Sequence, residues 1–223
     1  MRRVDRVLEV FERLLAHYGP QRWWPAETPF EVIVGALLMP QTSWRNVERA
    51  IANLKAAGLL DPHRLATAPV GTIRKHVRVA GLYRVKPARL KAFCRALVAS
   101  CDGDLAAYFD RPLDAVRADL LRQQGVGPET ADSILLYASE VATFVVDAYT
   151  VRIARRIGLV GSDGVDRVKT TFERHVPRDL ATYREYHALL VAHGKATCRP
   201  RPRCNECPVV DLCDYGRKAY VGP

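Results

Sequence analysis

Four cysteines near the C-terminus have a spacing that suits metal chemistry: Cys198, Cys204, Cys207 and Cys213. Arginine and proline surround them and offer little with which to build an apolar core. Metal binding can order such a segment, because ligation energy substitutes for missing apolar burial. Four sulfur ligands suit structural zinc or a 4Fe–4S cluster, although zinc sites usually contain two close CxxC pairs and this segment has one. Four unrelated thiols are the third interpretation.

A second candidate for chemistry is Asp147, which ends the apolar run Phe144-Val145-Val146 and precedes the helical pattern YTVRIARRIG. An aspartate at this place can serve as a helix N-cap. It can also be a catalytic carboxylate that the buried segment before it holds in position. The two roles are compatible, and the spacing alone favours the cap.

A third candidate is the turn Gly125-Val126-Gly127, which joins two predicted helices. Glycine reaches backbone angles that other residues avoid and lets a second backbone approach closely. The unpaired amides of Gly127 and of the next helical turn would form a seat for phosphate. Pro128 fits the first helical turn, where no amide hydrogen is needed. An ordinary helical turn would have the same sequence, so the motif alone is weak.

The elements that position these residues are predicted to be helices, because apolar residues recur at i, i+3, i+4 and i+7 along the chain. Helices are expected near 4–15, 30–38, 47–54, 63–68, 71–78, 86–100, 112–123, 129–139, 149–158, 165–175 and 180–194. Only ATFVVD (142–147) has the character of a strand, and it is too short to require a sheet. The predicted fold class is all-α, followed after residue 195 by the cysteine tail.

The composition limits the class of protein. With 223 residues, 48% of them hydrophobic, the chain can bury a substantial core as one large domain or two small ones. A formal charge of +10 favours a polyanionic partner without proving one. No run approaches the roughly 18 apolar residues of a membrane span, and Asp5, Glu9 and Glu12 interrupt any signal peptide. A cytoplasmic location is therefore expected, where Cys94 and Cys101 would be ordinary reduced thiols.

Taken together, these motifs resemble the endonuclease III superfamily of DNA glycosylases. The resemblance includes the hairpin GVG-x-x-TA, the segment VVDAYTVRIARR and the cysteine tail, in the family's order. The stretches PFEVIVGALLMPQT (29–42), GLYRVKPARL (81–90) and YHALLVAHGKATC (186–198) are similar to further helices of that superfamily. The likeness covers nearly the whole chain.

The resemblance implies two helical domains that flank a DNA cleft. A six-helix domain with the helix-hairpin-helix would span 22–139, and the other domain would combine 1–21 with 140–223 and carry the iron–sulfur loop. The protein would act as a monomer on double-stranded DNA that contains damaged bases, and would associate with the nucleoid through that DNA.

The resemblance also assigns roles to residues. Asp147 would be the catalytic carboxylate. The hairpin would bind the phosphate backbone through Gly125, Val126, Gly127 and Thr130. The four cysteines would ligate a 4Fe–4S cluster in preference to zinc, and this cluster would support a basic loop that contacts DNA. The gap between Cys198 and Cys204 is one residue shorter than the family's usual spacing.

One departure from the family pattern concerns strand cleavage. Members that cut the DNA strand carry a nucleophilic lysine where this chain has Glu129. A carboxylate cannot form the required imine. Lys86 or Lys91 could substitute in principle, but neither lies in the matching motif. The sequence therefore predicts base removal without AP-lyase activity.

The stretch RWWPAETPFEVIVGALLMPQTSW narrows the resemblance to endonuclease III-like 3-methyladenine DNA glycosylases. It implies that Trp24 and Trp44 sandwich the extruded base, that Pro25 shapes the pocket and that Glu129 belongs to it. Gln41 would fill the gap left in the duplex. The alternatives are indoles that pack in the core and a solvent-facing glutamine at a helix end.

The predicted function is the excision of alkylated purines in base excision repair, with Asp147 assisting the attack of water at C1′. Two other functions stay open. One is an endonuclease III-type glycosylase and AP lyase for oxidised pyrimidines. The other is a protein that binds damaged DNA with little or no catalysis.

Overall fold

The computed structural model describes residues 3–161 and 164–220; the outer limits of the predicted second domain, residues 1 and 223, lie outside these ranges. The α-helices are α1 (Arg3–Tyr18), α2 (Pro29–Leu38), α3 (Trp44–Ala56), α4 (Pro62–Thr67), α5 (Val70–Val77), α6 (Lys86–Cys101), α7 (Leu105–Phe109), α8 (Leu113–Arg122), α9 (Pro128–Ala138), α10 (Ala148–Ile157), α11 (Val165–His175), α12 (Leu180–Ala196) and α13 (Asp214–Tyr220). Short 3-10 helices cover Arg78–Ala80, Cys204–Glu206 and Val210–Leu212. No strand occurs in the described ranges, and the predicted all-α class is confirmed.

The predicted helices are all present, and the main additions are short. Sequence periodicity did not predict α7, which is one turn long, or the helical turns of the cysteine tail. The strand-like segment 142–147 is extended but joins no sheet within the part of the chain that the structure describes. A side chain replaces a strand partner there, because the amide of Phe144 donates a hydrogen bond of 3.0 Å to Oε1 of Glu173.

The chain forms two compact units. The central unit is Ala26–Glu140, and the terminal unit combines Met1–Pro25 with Val141–Pro223. None of the described helices is both long enough and apolar enough to cross a lipid bilayer.

The central unit is organised around α2 and α9, which pack against each other. Eight residues of each helix are buried, so they are core helices rather than amphipathic surface helices. The side chain of Thr28 accepts a hydrogen bond from the amide of Glu31, and Pro29 begins α2 at a position that needs no donor. The hairpin at 125–127 leads directly into α9, so the candidate phosphate seat is joined to the core of this unit.

Aromatic rings form the core of the terminal unit. Phe144 stacks on Phe172 with 4.5 Å between ring centroids, and the rings of Tyr183 and Tyr186 contact Phe144 edge-on. The hydroxyl of Tyr186 donates to the carbonyl oxygen of Val7 at 2.8 Å, which fastens α12 to α1. This core explains the apolar run at 144–146: it anchors the chain just before the residue that begins α10.

Candidate active site and metal centre

Asp147 is the N-cap of α10. Its Oδ1 accepts hydrogen bonds from the amide and the hydroxyl of Thr150, at 2.7 and 2.8 Å. The residue is buried, with 9% of its surface exposed. The capping interpretation is therefore correct, and the same two bonds fix the orientation of the carboxylate. A carboxylate held in this way can also act on a bound substrate.

His187, on α12, faces the other oxygen of this carboxylate. Its Nε2 lies 3.9 Å from Oδ2 of Asp147, which is too long for a direct hydrogen bond. Burial lowers the pKa of His187 below its ordinary value, and the charge of Asp147 opposes that shift without reversing it. The imidazole is therefore neutral near pH 7. His187 was not predicted from the sequence, because a single histidine among apolar helix residues is usually part of a core.

Two of the predicted base-pocket residues belong to the terminal unit, in the segment after α1. Trp24 is half-buried and Pro25 is exposed. The ring of Trp24 lies 5.0 Å from that of Trp23, at an angle of 45°. The other two, Trp44 and Glu129, belong to the central unit, so the four-residue pocket as a whole remains a prediction.

Gln41 and Trp44 lie in the turn after α2 and at the start of α3. Gln41 is exposed and has a left-handed backbone with φ 59°. Trp44 is half-buried. The carbonyl oxygen of Gln41 is 4.0 Å from where a Cβ on Gly81 would lie, so the Gln41 turn adjoins the loop of residues 81–85.

We name residues 81–85 the Tyr83 loop; it presents apolar side chains to solvent. Leu82, Tyr83 and Val85 are each about 40% exposed. The guanidinium groups of Arg78 and Arg84 lie 5.5 and 5.9 Å from the centroid of the Tyr83 ring. The sequence of this stretch resembles a family helix and does not by itself indicate this exposure. Apolar side chains beside two cations suit a surface for stacked bases and phosphates.

The hairpin has the backbone that its glycines predict. Gly125 has φ 87°, in the left-handed region. Val126 is buried, and its amide donates to the carbonyl of Gln123 at 3.1 Å. Gly127 is the N-cap of α9 and offers no side chain to its first-turn amides. Those amides, including that of Thr130, are suited to bind an anion.

Lys86 and Lys91, the two lysines that could replace a missing nucleophile, are both bound by main-chain carbonyls. The Nζ of Lys86 donates to Leu38 at 2.7 Å and Ala80 at 2.8 Å. The Nζ of Lys91 donates to Ala68 at 2.8 Å. Burial, aided by the charge of Arg89, lowers the pKa of Lys86 to about 8. Lys86 is almost fully buried, which opposes a role as a nucleophile toward DNA.

All four tail cysteines line one cavity, together with residues of α10, α12 and α13. Burial, together with the neighbouring cysteines, raises the pKa of Cys207 to about 11. No three His, Cys, Asp or Glu side chains within residues 3–161 and 164–220 converge closely enough to hold a single metal ion. Zinc would require the sulfurs to meet at about 2.3 Å from one point. A cluster of four irons, each taking one sulfur, requires a wider ring of thiolates, and a cavity that all four cysteines line is compatible with that arrangement.

Residues around the cavity interact with the sulfurs. Nη1 of Arg156, on α10, donates to Sγ of Cys198 at 3.3 Å and to the carbonyl of Arg199 at 2.6 Å. The amide of Gly216 donates to Sγ of Cys213 at 3.4 Å. Hydrogen bonds to thiolate sulfur support a ligated metal centre. Arg156 therefore holds both the first cysteine and the arginine- and proline-rich segment that follows it.

The sequence is similar to known DNA repair proteins. The profile of the HhH-GPD superfamily of base excision DNA repair proteins matches residues 34–178. An inferred DNA repair glycosylase of Methanocaldococcus jannaschii is 43% identical over 211 residues, which are 94% of this chain and 96% of that protein. Endonuclease III of Escherichia coli is 30% identical over 195 residues, 87% of each chain.

Solved structures agree with these sequence matches. A non-covalent endonuclease III–DNA complex superposes with a TM-score of 0.83 at 23% identity, over 98% of this chain and 99% of that one, which is a likeness of fold. The 3-methyladenine DNA glycosylase of H. pylori, bound to 1,N6-ethenoadenine, superposes with a TM-score of 0.76 at 25% identity. That match covers 87% of this chain and 98% of the H. pylori chain.

Proposed function

This chain belongs to the HhH-GPD superfamily of base excision DNA repair proteins, and we propose that it removes alkylated purines such as 3-methyladenine from double-stranded DNA without cutting the strand. The observation that carries the proposal is the buried carboxylate of Asp147, which Thr150 holds at the N-terminus of α10. The likeness to the H. pylori enzyme supports the choice of an alkylated purine. The protein would act as a monomer.

The carboxylate suits the chemistry of glycosidic bond cleavage. When the bond between base and sugar breaks, positive charge develops on the sugar, as in glycoside hydrolysis. Oδ1 of Asp147 is engaged by Thr150, so Oδ2 is the oxygen assigned to the sugar cation or to the attacking water. An alkylated purine leaves readily because it is already cationic. A strong general acid is therefore unnecessary, and the neutral His187 beside Oδ2 leaves the negative charge of the carboxylate uncompensated.

Indole rings suit the recognition of such a base. The face of an indole is electron-rich and attracts flat cations, so a methylated purine binds more tightly between two indoles than its neutral parent does. Trp24 and Trp44 are both half-buried, which leaves part of each ring accessible. We assign the base pocket to these two rings together with Pro25 and Glu129.

Replacing these indoles should reduce processing more than it reduces DNA binding. Base–aromatic stacking contributes about 1–3 kcal/mol, so Trp24→Ala or Trp44→Ala should lower kcat/KM on methylated DNA by about tenfold or more. Binding to undamaged duplex should change little, since the flipped base is absent there. Trp23→Ala is the matched control, because it removes the neighbouring indole. Equal losses in all three variants, on damaged and undamaged DNA alike, would show that the rings serve packing only.

We assign DNA binding to the central unit. The hairpin amides would hold phosphate, and the exposed Gln41 would occupy the gap left by the flipped nucleotide. The Tyr83 loop adjoins Gln41 and would supply apolar contact with the bases. Arg78 and Arg84 beside the loop would add attraction to the phosphates.

Trapping of a covalent protein–DNA adduct tests whether the protein cleaves the DNA strand. Glu129 cannot form an imine, and the amines of Lys86 and Lys91 are occupied by carbonyl oxygens. Borohydride added during turnover should therefore trap no covalent protein–DNA adduct, and strand breaks should appear only after alkali. An adduct that persists in Lys86→Met and Lys91→Met would place the nucleophile elsewhere, and an adduct that either variant abolishes would identify it.

We assign a 4Fe–4S cluster to the cysteine cavity. When bound, the cluster would cross-link residues 198–213 and so order the basic tail. Cys198, Cys204, Cys207 and Cys213 would each supply one thiolate, and Arg156 would stabilise the first of them by its hydrogen bond. The ordered tail would contribute by presenting its arginines to the phosphates of DNA.

Chromatography of released bases tests the substrate. Duplexes that carry methylated purines, thymine glycol, or uracil opposite guanine would be incubated separately with the wild-type protein. Release of 3-methyladenine at the highest kcat/KM is expected. Preferential release of thymine glycol or uracil would retain the glycosylase and replace the substrate class. No release from any duplex, with intact binding, would favour a damage-binding protein without catalysis.

A further inference from the structure

One arginine of the central unit lies directly against the DNA-binding hairpin. Gly125 occupies the left-handed turn of that hairpin, and a Cβ built on it would lie 2.6 Å from Nη1 and 2.8 Å from Cζ of Arg89. The guanidinium therefore fills the space beside the glycine, in contact with the main chain of the turn. This contact gives a second reason for glycine at 125, besides its φ of 87°.

The charge of Arg89 has no counterion within the described residues. Arg89 forms no ion pair there, and its buried Nε has no hydrogen-bond partner. The charge of Arg89 helps to lower the pKa of Lys86, which is also a cation. A partly buried guanidinium is normally paired, because removing its hydration without compensation is costly. The positive charge of Arg89 therefore lies beside the hairpin without a compensating carboxylate among the described residues.

The uncompensated guanidinium of Arg89 and the amides of the hairpin can bind the same kind of ligand. The hairpin presents the first-turn amides of α9, for which the N-cap Gly127 has no capping side chain, and Arg89 presents a half-exposed planar cation with several donors next to the same turn. Both groups bind phosphate oxygen, and guanidinium does so with fork-like geometry. The sequence motif GVG-x-x-TA carries no indication of this arginine, which comes from another helix, α6.

We propose that Arg89 is a phosphate-binding residue that acts with the hairpin amides on the same DNA strand. The proposal rests on the proposed function, since it requires that the protein bind DNA through this hairpin. The ligand is a backbone phosphodiester of the duplex, and recognition is independent of base sequence. Arg89 is thus a binding residue for DNA and takes no part in the chemical step.

The salt dependence of DNA binding distinguishes this role from a merely structural one. Each phosphate contact contributes about 0.9 to the slope of log Kd against log salt. Arg89→Met should weaken binding by about fivefold to tenfold at low salt and reduce that slope by about 0.9. Arg89→Lys retains the charge and should retain the slope. Arg95→Met is the matched control, because Arg95 is an exposed arginine of the same helix and has no ion pair among the described residues.

Duplexes with a single neutral methylphosphonate provide a second measurement. At the phosphate that Arg89 contacts, the methylphosphonate should weaken DNA binding by the wild type and by Arg95→Met. It should not weaken DNA binding by Arg89→Met any further. If Arg89→Met binds less tightly with an unchanged slope and an additive methylphosphonate effect, the arginine only supports the hairpin and the proposal is overturned. If the wild-type protein shows no salt-dependent DNA binding at all, the proposed function fails instead, and this inference fails with it.

Discussion

The Asp147→Asn variant is expected to release damaged bases about a hundredfold to ten-thousandfold more slowly than wild type, while it folds and binds DNA normally. The estimate follows from the two roles assigned to the carboxylate. Loss of the negative charge removes the electrostatic stabilisation of the sugar cation, and loss of basicity removes proton transfer from water, each of which contributes factors of about 100 or more in enzymes.

Asparagine is the informative substitution because Asp147 also caps α10. The amide oxygen of asparagine can accept the same hydrogen bonds from Thr150, and asparagine is as good an N-cap as aspartate. The Asp147→Ala variant would lose the cap as well, at a cost of about 0.5–2 kcal/mol in the free energy of unfolding. A comparison of the two variants therefore separates catalysis from stability.

The chain offers a matched control for this substitution. Asp179 caps α12 with the same geometry: its Oδ2 accepts from the amide and the hydroxyl of Thr182, both at 2.7 Å. Asp179→Asn should leave base release unchanged. Single-turnover release from methylated DNA and urea unfolding would be measured for wild type and each variant. Turnover of Asp147→Asn within a few-fold of wild type would remove the assigned role.

Most of the fold could be predicted because long helices leave a periodic apolar pattern. The same apolar period that identifies surface helices also predicted α2 and α9, although most residues of both helices are buried. Short elements behave differently: α7 is one helical turn, with too few residues for a period. The turns of the cysteine tail cannot be predicted either, because arginine and proline dominate this segment and leave too few apolar residues for a periodic pattern.

Residues of the candidate site also differ in how far the sequence could predict them. Motifs that are contiguous in sequence, such as the hairpin and the Asp147 cap, were found with their local geometry. His187 and Arg89 were missed because each contacts its partner from a distant helix, α12 or α6. Neither residue differs in type or spacing from a core histidine or a solvated arginine. Only three-dimensional proximity identifies them, and one sequence without an alignment contains no record of it.

The second large effect is expected from the cysteine cavity. Cys204→Ser should yield protein without the visible absorbance or iron of the wild type, with a tail that proteases remove readily. The physical reason is the composition of residues 198–213. Val209 and Leu212 are among its few buried apolar side chains outside the cysteines, so ligation must supply most of the free energy that orders the segment. Burial also raises the pKa of Cys204, which is therefore protonated without metal.

Cys101→Ser is the control, because Cys101 lies outside the cavity and its thiol donates to the carbonyl of Leu97, a bond that a serine hydroxyl can replace. This variant should retain iron, colour and melting temperature. Iron and sulfide analysis, visible absorbance and limited proteolysis would be compared for the three proteins. A colourless wild-type protein with stoichiometric zinc would exclude the cluster and support the alternative ligand. If the wild-type protein contained no metal, and its tail and that of Cys204→Ser both resisted proteolysis, apolar burial would suffice and the cavity would hold no cofactor.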